Sequence, residues 1–209
     1  MKKLLSALAL AALATSAGAQ VTFSGGVVHQ PLLNYNPNGA AGGIALNGGQ
    51  ENALINTTAG ILTATFLGFE AIDTDTFTFT LAGSTLSNKG ALGSSISGPV
   101  TAGALNFTFA DLFQGTTVGN GGGSGDFTSY AVLGTFAGAV FTPATSAGGN
   151  TYDLILGFND GLRVDADYDD MVIGLKVVAI PEPETYALLL AGLGAVGFIA
   201  RRRQRPLKG

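Results

Sequence analysis

The stretch Thr76-Phe77-Thr78-Phe79-Thr80-Leu81 decides the fold class of this 209-residue chain. Its large apolar side chains occupy every second position, so an extended strand sends them to one face and the threonines to the other. Threonine and aromatic residues suit such a half-buried, pleated surface. The stretch therefore predicts a β-strand with one face in a hydrophobic core.

The same two-residue alternation recurs further along the chain. It is found in three more segments: Leu105, Phe107 and Phe109; Leu154, Leu156 and Phe158; and Met171, Ile173, Leu175 and Val177. Apolar runs over 61–69 and 131–141 predict two further, more deeply buried strands. Turn-forming stretches rich in Gly, Asn, Pro and Ser separate these segments, among them a glycine tract at 119–125 that we interpret as a flexible loop. We expect an all-β domain over 20–180, built as an antiparallel β-sandwich or jelly roll.

The composition excludes several classes of protein. The chain contains 32 glycines, no cysteine and a single histidine, His29. It therefore cannot be a disulfide scaffold or build a cysteine-liganded zinc or iron–sulfur centre. Between residues 20 and 180, three basic residues stand against twelve acidic ones. Such a domain repels the phosphates of nucleic acid, which is not an expected partner.

The N-terminal residues 1–19 have the three parts of a secretory signal peptide. Lys2 and Lys3 form a basic region, residues 4–13 an apolar region, and Ala17 and Ala19 supply the small side chains that signal peptidase requires. About ten apolar residues are too few to span the roughly 30 Å of a bilayer core. We expect cleavage before Gln20 and export of the chain.

The C-terminal residues 181–209 also have three parts in a fixed order. Pro181, Glu182 and Pro183 come first, the uncharged stretch 186–200 (YALLLAGLGAVGFIA) follows, and a basic cluster closes the tail: Arg201, Arg202, Arg203 and Arg205. Fifteen residues rise about 22 Å as a helix, which predicts a marginal transmembrane helix over 186–200. Because a basic cluster stays on the cytoplasmic side, it would act as a stop-transfer signal for a membrane-anchored precursor.

This order of parts resembles the tail of the PEP-CTERM family of bacterial exported proteins. The resemblance implies that the tail is a sorting signal, cut near the Pro-Glu-Pro motif by the membrane protease exosortase. It also implies transient contact with the membrane, followed by release or transfer to the cell surface or the extracellular space. The same tail has been labelled an ice-binding protein C-terminal domain, a label that implies no ice binding here.

An acidic segment near the end of the domain is a candidate metal site. Asp165, Asp167, Asp169 and Asp170 place four carboxylates within six residues, with Arg163 as the only cation nearby. Carboxylate oxygens are the ligands that calcium prefers, and a bound cation would remove the repulsion between them. The spacing is not that of an EF-hand. A calcium site and a solvated acidic hairpin both remain open.

The stretch Asp165-Ala166-Asp167-Tyr168-Asp169-Asp170-Met171-Val172 also resembles a signature that often closes the extracellular β-domain of PEP-CTERM proteins. The resemblance implies one such domain over about 21–178, a type without an assigned activity.

We expect the exported domain to be a non-enzymatic surface or extracellular matrix protein, associated with exopolysaccharide or a biofilm. One alternative is a module that binds a glycan or another surface partner through exposed aromatic side chains. Its candidates are Tyr35, Tyr130 and Tyr152. The second alternative is a secreted hydrolase that uses a pair of acids on a glycosidic bond. The acid pairs that come into question are Asp73 with Asp75 and Glu51 with Glu70.

Overall fold

The computed structural model describes residues 20–32, 34–80, 83–123, 128–161, 167–180 and 183–203. The signal peptide predicted over 1–19, with Ala17 and Ala19, and Leu81 of the opening stretch lie outside these residues. Within the described ranges the chain is mostly β-strand, as predicted. The strands are β1 (Val21–Ser24), β2 (Val27–His29), β3 (Gly48–Glu51), β4 (Leu54–Thr57), β5 (Gly60–Gly68), β6 (Asp75–Phe79), β7 (Ser84–Ser87), β8 (Ser95–Val100), β9 (Gly103–Ala104), β10 (Phe107–Asp111), β11 (Thr116–Gly119), β12 (Gly122–Gly123), β13 (Ser129–Ala137), β14 (Val140–Pro143), β15 (Ser146–Ala147), β16 (Asn150–Thr151), β17 (Leu154–Asn159) and β18 (Met171–Val178).

Two sheets form the body of the domain. The larger has the order β2-β3-β13-β17-β18-β5-β8, with β14 paired to β13, and the smaller has the order β12-β11-β10-β6-β7. A three-stranded sheet, β1-β4-β9, and the β15-β16 pair complete the described strands. The pairings within the described residues are antiparallel, which confirms the fold class expected from the alternation.

The main hydrophobic core lies between the two large sheets. The inward-facing side chains of β6 and β10 are fully buried, and their aromatic rings contact one another. Phe109 of β10 stacks on Phe158 of β17 with 5.0 Å between ring centroids and 4° between ring planes, so an aromatic contact joins the two sheets. Aromatic pairs at this separation contribute roughly 0.5–1.5 kcal/mol beyond the area that they bury.

A second core covers the opposite face of the larger sheet. It contains Leu133, Ile155 and Val172, and it lies under the segment 34–46, which includes a 3₁₀ helix at Gly39–Gly43. Both faces of the central strand β17 are therefore buried, and its six residues are all inaccessible to solvent. The alternation in 154–158 predicted the strand correctly but did not show that its second face is covered as well.

Two local predictions need correction. The run 131–141 is not one strand but a hairpin, because Gly138 adopts a left-handed φ of 64° and turns the chain from β13 into β14. The glycine tract at 119–125 is not simply a loop, since Gly119 ends β11 and pairs with Gly122 of β12. The last two residues of the tract, Ser124 and Gly125, lie outside the described residues.

The C-terminal tail contains the α-helix α1 (Pro183–Arg203). Its apolar side chains between 187 and 198 are exposed, for example Leu190 and Phe198. In the part of the chain that the structure describes, no helix combines the length and the apolar content needed to cross a membrane. The transmembrane helix predicted over 186–200 is therefore not confirmed.

Candidate functional site

The acidic segment lies at one end of the sandwich, between the antiparallel neighbours β17 and β18. The chain passes very close to β17 here, because a Cβ on Gly157 would overlap the carbonyl oxygen of Tyr168. Tyr168 itself has a left-handed φ of 62°. Its ring is buried, and Ser129 Oγ donates a hydrogen bond to its hydroxyl at 3.3 Å. Glycine at 157 therefore allows the segment to be held tightly against the sheet.

Two of the predicted calcium ligands belong to a group that we name the first carboxylate cluster. One oxygen each from Glu70, Asp167 and Asp169 lies within 4.8 Å of the others. The backbone N–H of Asn36 donates to Asp169 Oδ2 at 2.5 Å, and the backbone N–H of Glu70 donates to the Asp169 carbonyl at 2.8 Å. Asp169 Oδ1 is buried and accepts no hydrogen bond. The cluster thus joins the end of β5 to the start of β18.

Burial is the main cause of the raised pKa values in and beside this cluster. Burial and, to a smaller extent, the neighbouring carboxylates of Asp167 and Glu70 together raise the pKa of Asp169 to about 8, although the hydrogen bond from the Asn36 N–H lowers it. Burial also raises the pKa of Tyr35 above its ordinary value, with Asp169 and Asp167 adding to the effect. The site therefore disfavours negative charge unless a cation compensates it.

A second group, which we name the second carboxylate cluster, lies at the same end of the sandwich. One oxygen each from Asp73, Asp111 and Asp160 lies within 4.8 Å of the others. Asp73 precedes β6, Asp111 ends β10, and Asp160 follows β17. The cluster consequently brings together the smaller sheet and the larger sheet. Two further acids, Asp75 and Asp170, lie close to it: Asp75 pairs with Asp111 across the β6–β10 ladder, and Asp170 Oδ2 accepts the Asp160 N–H at 2.8 Å.

Two carboxylates of this region have one engaged oxygen and one without a partner. Asp111 Oδ1 accepts the backbone N–H groups of Phe113 at 2.7 Å and Gln114 at 3.2 Å, whereas Asp111 Oδ2 is buried and accepts no hydrogen bond. Asp75 Oδ2 accepts Asn88 Nδ2–H at 3.0 Å, whereas Asp75 Oδ1 is buried and likewise accepts none. Both residues are fully buried. Buried oxygens of this kind are costly unless something binds them.

Burial and neighbouring acids also raise the pKa values of the two acids beside the second carboxylate cluster. Burial raises the pKa of Asp75 to about 8, with Asp160, Asp111 and Asp73 adding to the effect and Lys89 opposing it. Burial also raises the pKa of Asp170 to about 8; the Asp160 N–H lowers it, and the charges of Asp160, Asp75 and Asp167 raise it. Burial and the neighbouring acids thus favour the protonated forms of Asp75 and Asp170 unless a cation compensates their charge.

The structure distributes the predicted calcium ligands that it describes over two different sites. Asp167 and Asp169 point into the first carboxylate cluster, Asp170 lies beside the second, and Asp165 lies outside the described residues. Sequence reasoning missed Glu70, Asp111 and Asp160 as partners of these acids, since they are distant along the chain. It considered Asp73 and Asp75 only as a catalytic pair.

The aromatic residues proposed for a glycan platform do not form one. Tyr130 is 0 % exposed and Tyr152 is 9 % exposed, because each contributes to a core. Tyr35 is half-buried and packs against the second core. Tyr130 instead donates a short hydrogen bond to the Ala53 carbonyl and accepts the Gly121 N–H at 2.9 Å. These side chains hold the fold together and offer no flat surface to a sugar.

The acid pairs considered for hydrolysis are also poorly placed. Glu51 and Gly68, two residues before Glu70, lie in one row across the larger sheet, with three strands between them. Four strand spacings amount to roughly 19 Å, more than the roughly 5–9.5 Å that separates a glycosidase pair. Asp75, the partner of Asp73, is fully buried. Neither arrangement favours attack on a glycosidic bond in solution.

The sorting residues lie at and beyond the end of the domain. Strand β18 ends at Val178, and α1 begins at Pro183 and ends at Arg203. A proline at the first helical position is a favoured start, because its missing N–H has no partner there in any case. The helix therefore includes the residues Pro183, Arg201, Arg202 and Arg203 of the predicted signal. Pro181, Glu182 and Arg205 lie outside the described residues.

Comparison with known proteins supports this interpretation of the tail. Residues 179–204 match the PEP-CTERM protein-sorting motif. The chain therefore carries a PEP-CTERM sorting signal and is an exported protein of the kind that exosortase sorts. No curated protein and no solved structure matches the chain.

Proposed function

We propose that residues 20–180 form a non-enzymatic module of the cell surface or extracellular matrix, delivered by exosortase and associated there with exopolysaccharide. The observation that carries the proposal is the position of the sorting motif, which begins at residue 179, directly after the last strand of the domain ends at Val178. The motif thus follows a completed all-β domain, which is the cargo of the sorting step. Removal of the signal peptide by signal peptidase before Gln20 would give the N-terminus of the mature protein.

The described part of the domain favours a structural role over catalysis. Its largest aromatic side chains are used in the two cores, and its carboxylates gather where the two sheets meet. The chain contains no cysteine, so the hydrophobic cores must stabilise the domain outside the cell without disulfides.

The test of sorting compares a strain with exosortase and a strain without it. We expect the mature protein of the first strain to start at Gln20 and to lack α1 and the basic cluster, and the second strain to accumulate a longer, cell-associated form. A Pro181→Ala, Pro183→Ala variant should behave like the exosortase deletion. Identical intact masses in all three cases would contradict the proposal.

The matrix role is tested separately by fractionation. The mature protein should appear in the exopolysaccharide fraction of the wild-type strain and move to the culture medium in a strain that makes no exopolysaccharide. A panel of glycoside substrates incubated with the purified protein should show no hydrolysis above background. Turnover of any of them would support the hydrolase alternative instead.

A further inference from the structure

The second carboxylate cluster has the geometry of a cation site. The three oxygens of Asp73, Asp111 and Asp160 lie within 4.8 Å of one another. Calcium binds oxygen at 2.3–2.6 Å, so two ligands of one ion are at most about 5.2 Å apart. All three oxygens can therefore contact one ion without rearrangement of the backbone.

The buried, unpartnered oxygens point independently to a ligand. Because Asp111 Oδ1 is used by two backbone N–H groups, Asp111 Oδ2 is the oxygen left to bind an ion, and it is inaccessible to solvent. On the paired strand, Asp75 Oδ1 is buried without a partner as well. A folded protein rarely leaves two such oxygens unsatisfied within one ladder pair.

The surrounding charges require compensation. Five acids converge on this end of the sandwich: Asp73, Asp75, Asp111, Asp160 and Asp170. Among the described residues, Lys89 is a cation whose charge lowers the pKa of Asp75. Its ammonium donates a hydrogen bond to the Ile72 carbonyl at 2.5 Å. One lysine does not balance this group of acids, whereas a divalent cation between them would stabilise their ionised forms.

We propose that Asp73, Asp111 and Asp160 bind one calcium ion, with Asp75 supporting the site from the neighbouring strand. The choice of metal follows from the donors, which are carboxylate oxygens without a sulfur or imidazole ligand among them. Mg²⁺ binds less well, because it demands a near-ideal octahedron at 2.0–2.1 Å. The ion ties the start of β6 and the end of β10 to the end of β17, and so acts as a clamp between the two sheets. This proposal does not depend on the proposed sorting or matrix role.

The test uses calorimetric titration of the full chain with CaCl₂ after treatment with EGTA. Extracellular calcium modules bind with Kd values on the order of 0.1–1 mM, and we expect a value in this range. The variant Asp111→Asn with Asp160→Asn should bind at least tenfold more weakly. Asp167→Asn with Asp169→Asn, which changes the same number of charges in the first carboxylate cluster, should leave this binding step in place.

A milder variant guards against loss of folding. Asp73 is only half-buried, so Asp73→Asn should keep the far-UV circular dichroism of the wild type and still weaken calcium binding. Asp153→Asn removes one charge from a residue that precedes β17, at the end of this strand remote from Asp160, and should bind calcium like the wild type. The proposal is overturned if the wild type takes up no calcium at 5 mM, or if Asp73→Asn and the Asp111/Asp160 variant both bind it with wild-type affinity.

Discussion

Asp75 on β6 and Asp111 on β10 lie directly opposite each other in an antiparallel ladder, and both are fully buried. Like charges in this relationship destabilise a sheet by up to about 1 kcal/mol. Asp75 and Asp111 lie on the same face of their strands as the buried residues Phe77, Phe79, Phe107 and Phe109. Two carboxylates therefore extend the row of core side chains. Once the pH exceeds the Asp75 pKa of about 8, repulsion between the two carboxylates therefore destabilises this end of the sandwich.

This relationship gives a stability prediction for the protein in a chelator. Asp75→Asn should raise the free energy of unfolding in EGTA at pH 9 by about 1 kcal/mol. At this pH, above the Asp75 pKa of about 8, the substitution removes the charge opposite Asp111 and keeps a side chain able to bond Asn88. Urea denaturation of the full chain measures the change. Asp153→Asn is the control and should lower the stability, since Asp153 Oδ2 accepts the N–H groups of Val21 and Val177. A loss of stability in Asp75→Asn would show that repulsion between the two carboxylates is not the main effect at this position.

A second prediction concerns Asn120, which joins three segments of the domain. Its Oδ1 accepts the Ile55 N–H at 2.7 Å, and its Nδ2 donates to the carbonyls of Ile55 and Leu105, each at 2.7 Å. Asn120→Ala should lower the free energy of unfolding by about 3 kcal/mol, at about 1 kcal/mol for each bond. Thermal and urea denaturation provide the measurement.

The matched control is Asn56→Ala. The Asn56 side chain makes one exposed, long bond of 3.4 Å to the Leu54 carbonyl, so its loss should change stability by less than about 0.5 kcal/mol. Equal effects of the two substitutions would mean that the hydrogen bonds of Asn120 contribute little.

Much of the fold could be predicted from local patterns, and much of the candidate site could not. The alternation of Phe77 and Phe79 with threonines predicted β6, because in a strand the side chains of neighbouring residues point to opposite faces. The partners of Asp170 and Asp169 lie 10 to 133 positions away along the chain, and no local period encodes such contacts. One local signal does exist, since Asp111 follows Phe109 by two residues and therefore faces the core. An acid in phase with buried aromatic residues predicts a buried carboxylate.

The pH dependence of the free energy of unfolding should reflect the ionisation of the Tyr130 hydroxyl. Burial raises its pKa to about 12, against the Gly121 N–H, which lowers it. Because the folded-state pKa lies above the unfolded value of about 10, the stabilisation is fully present below pH 10 and is lost as the pH rises towards 12. Tyr130→Phe should therefore show a smaller fall in the free energy of unfolding between about pH 9 and 11.5 than the wild type. Parallel curves for the two proteins would mean that Tyr130 does not titrate on unfolding in this range.

The basic end of α1 should be needed for sorting. Positive charges near a helix C-terminus interact favourably with its dipole, and clustered arginines stay on the cytoplasmic side during export. Replacement of Arg201, Arg202 and Arg203 by alanine should reduce the fraction of processed protein several-fold, measured by intact mass and immunoblot of cell and medium fractions. The triple lysine variant keeps the charge and should be processed nearly as the wild type is. Normal processing of the alanine variant would show that the basic cluster is not a required part of the sorting signal.

Gly157 should be a sensitive position near the two carboxylate clusters. A Cβ there would overlap the Tyr168 carbonyl oxygen, and a backbone atom cannot move aside as a flexible side chain can. Gly157→Ala must displace the segment that carries Asp167 and Asp169, so it should lower the free energy of unfolding by about 3 kcal/mol, at the upper end of the usual cost of overpacking. Gly43→Ala is the control, because a Cβ at Gly43 meets nothing within 4 Å. Denaturation by urea provides the measurement, and an equal loss of stability in Gly157→Ala and Gly43→Ala would contradict the prediction.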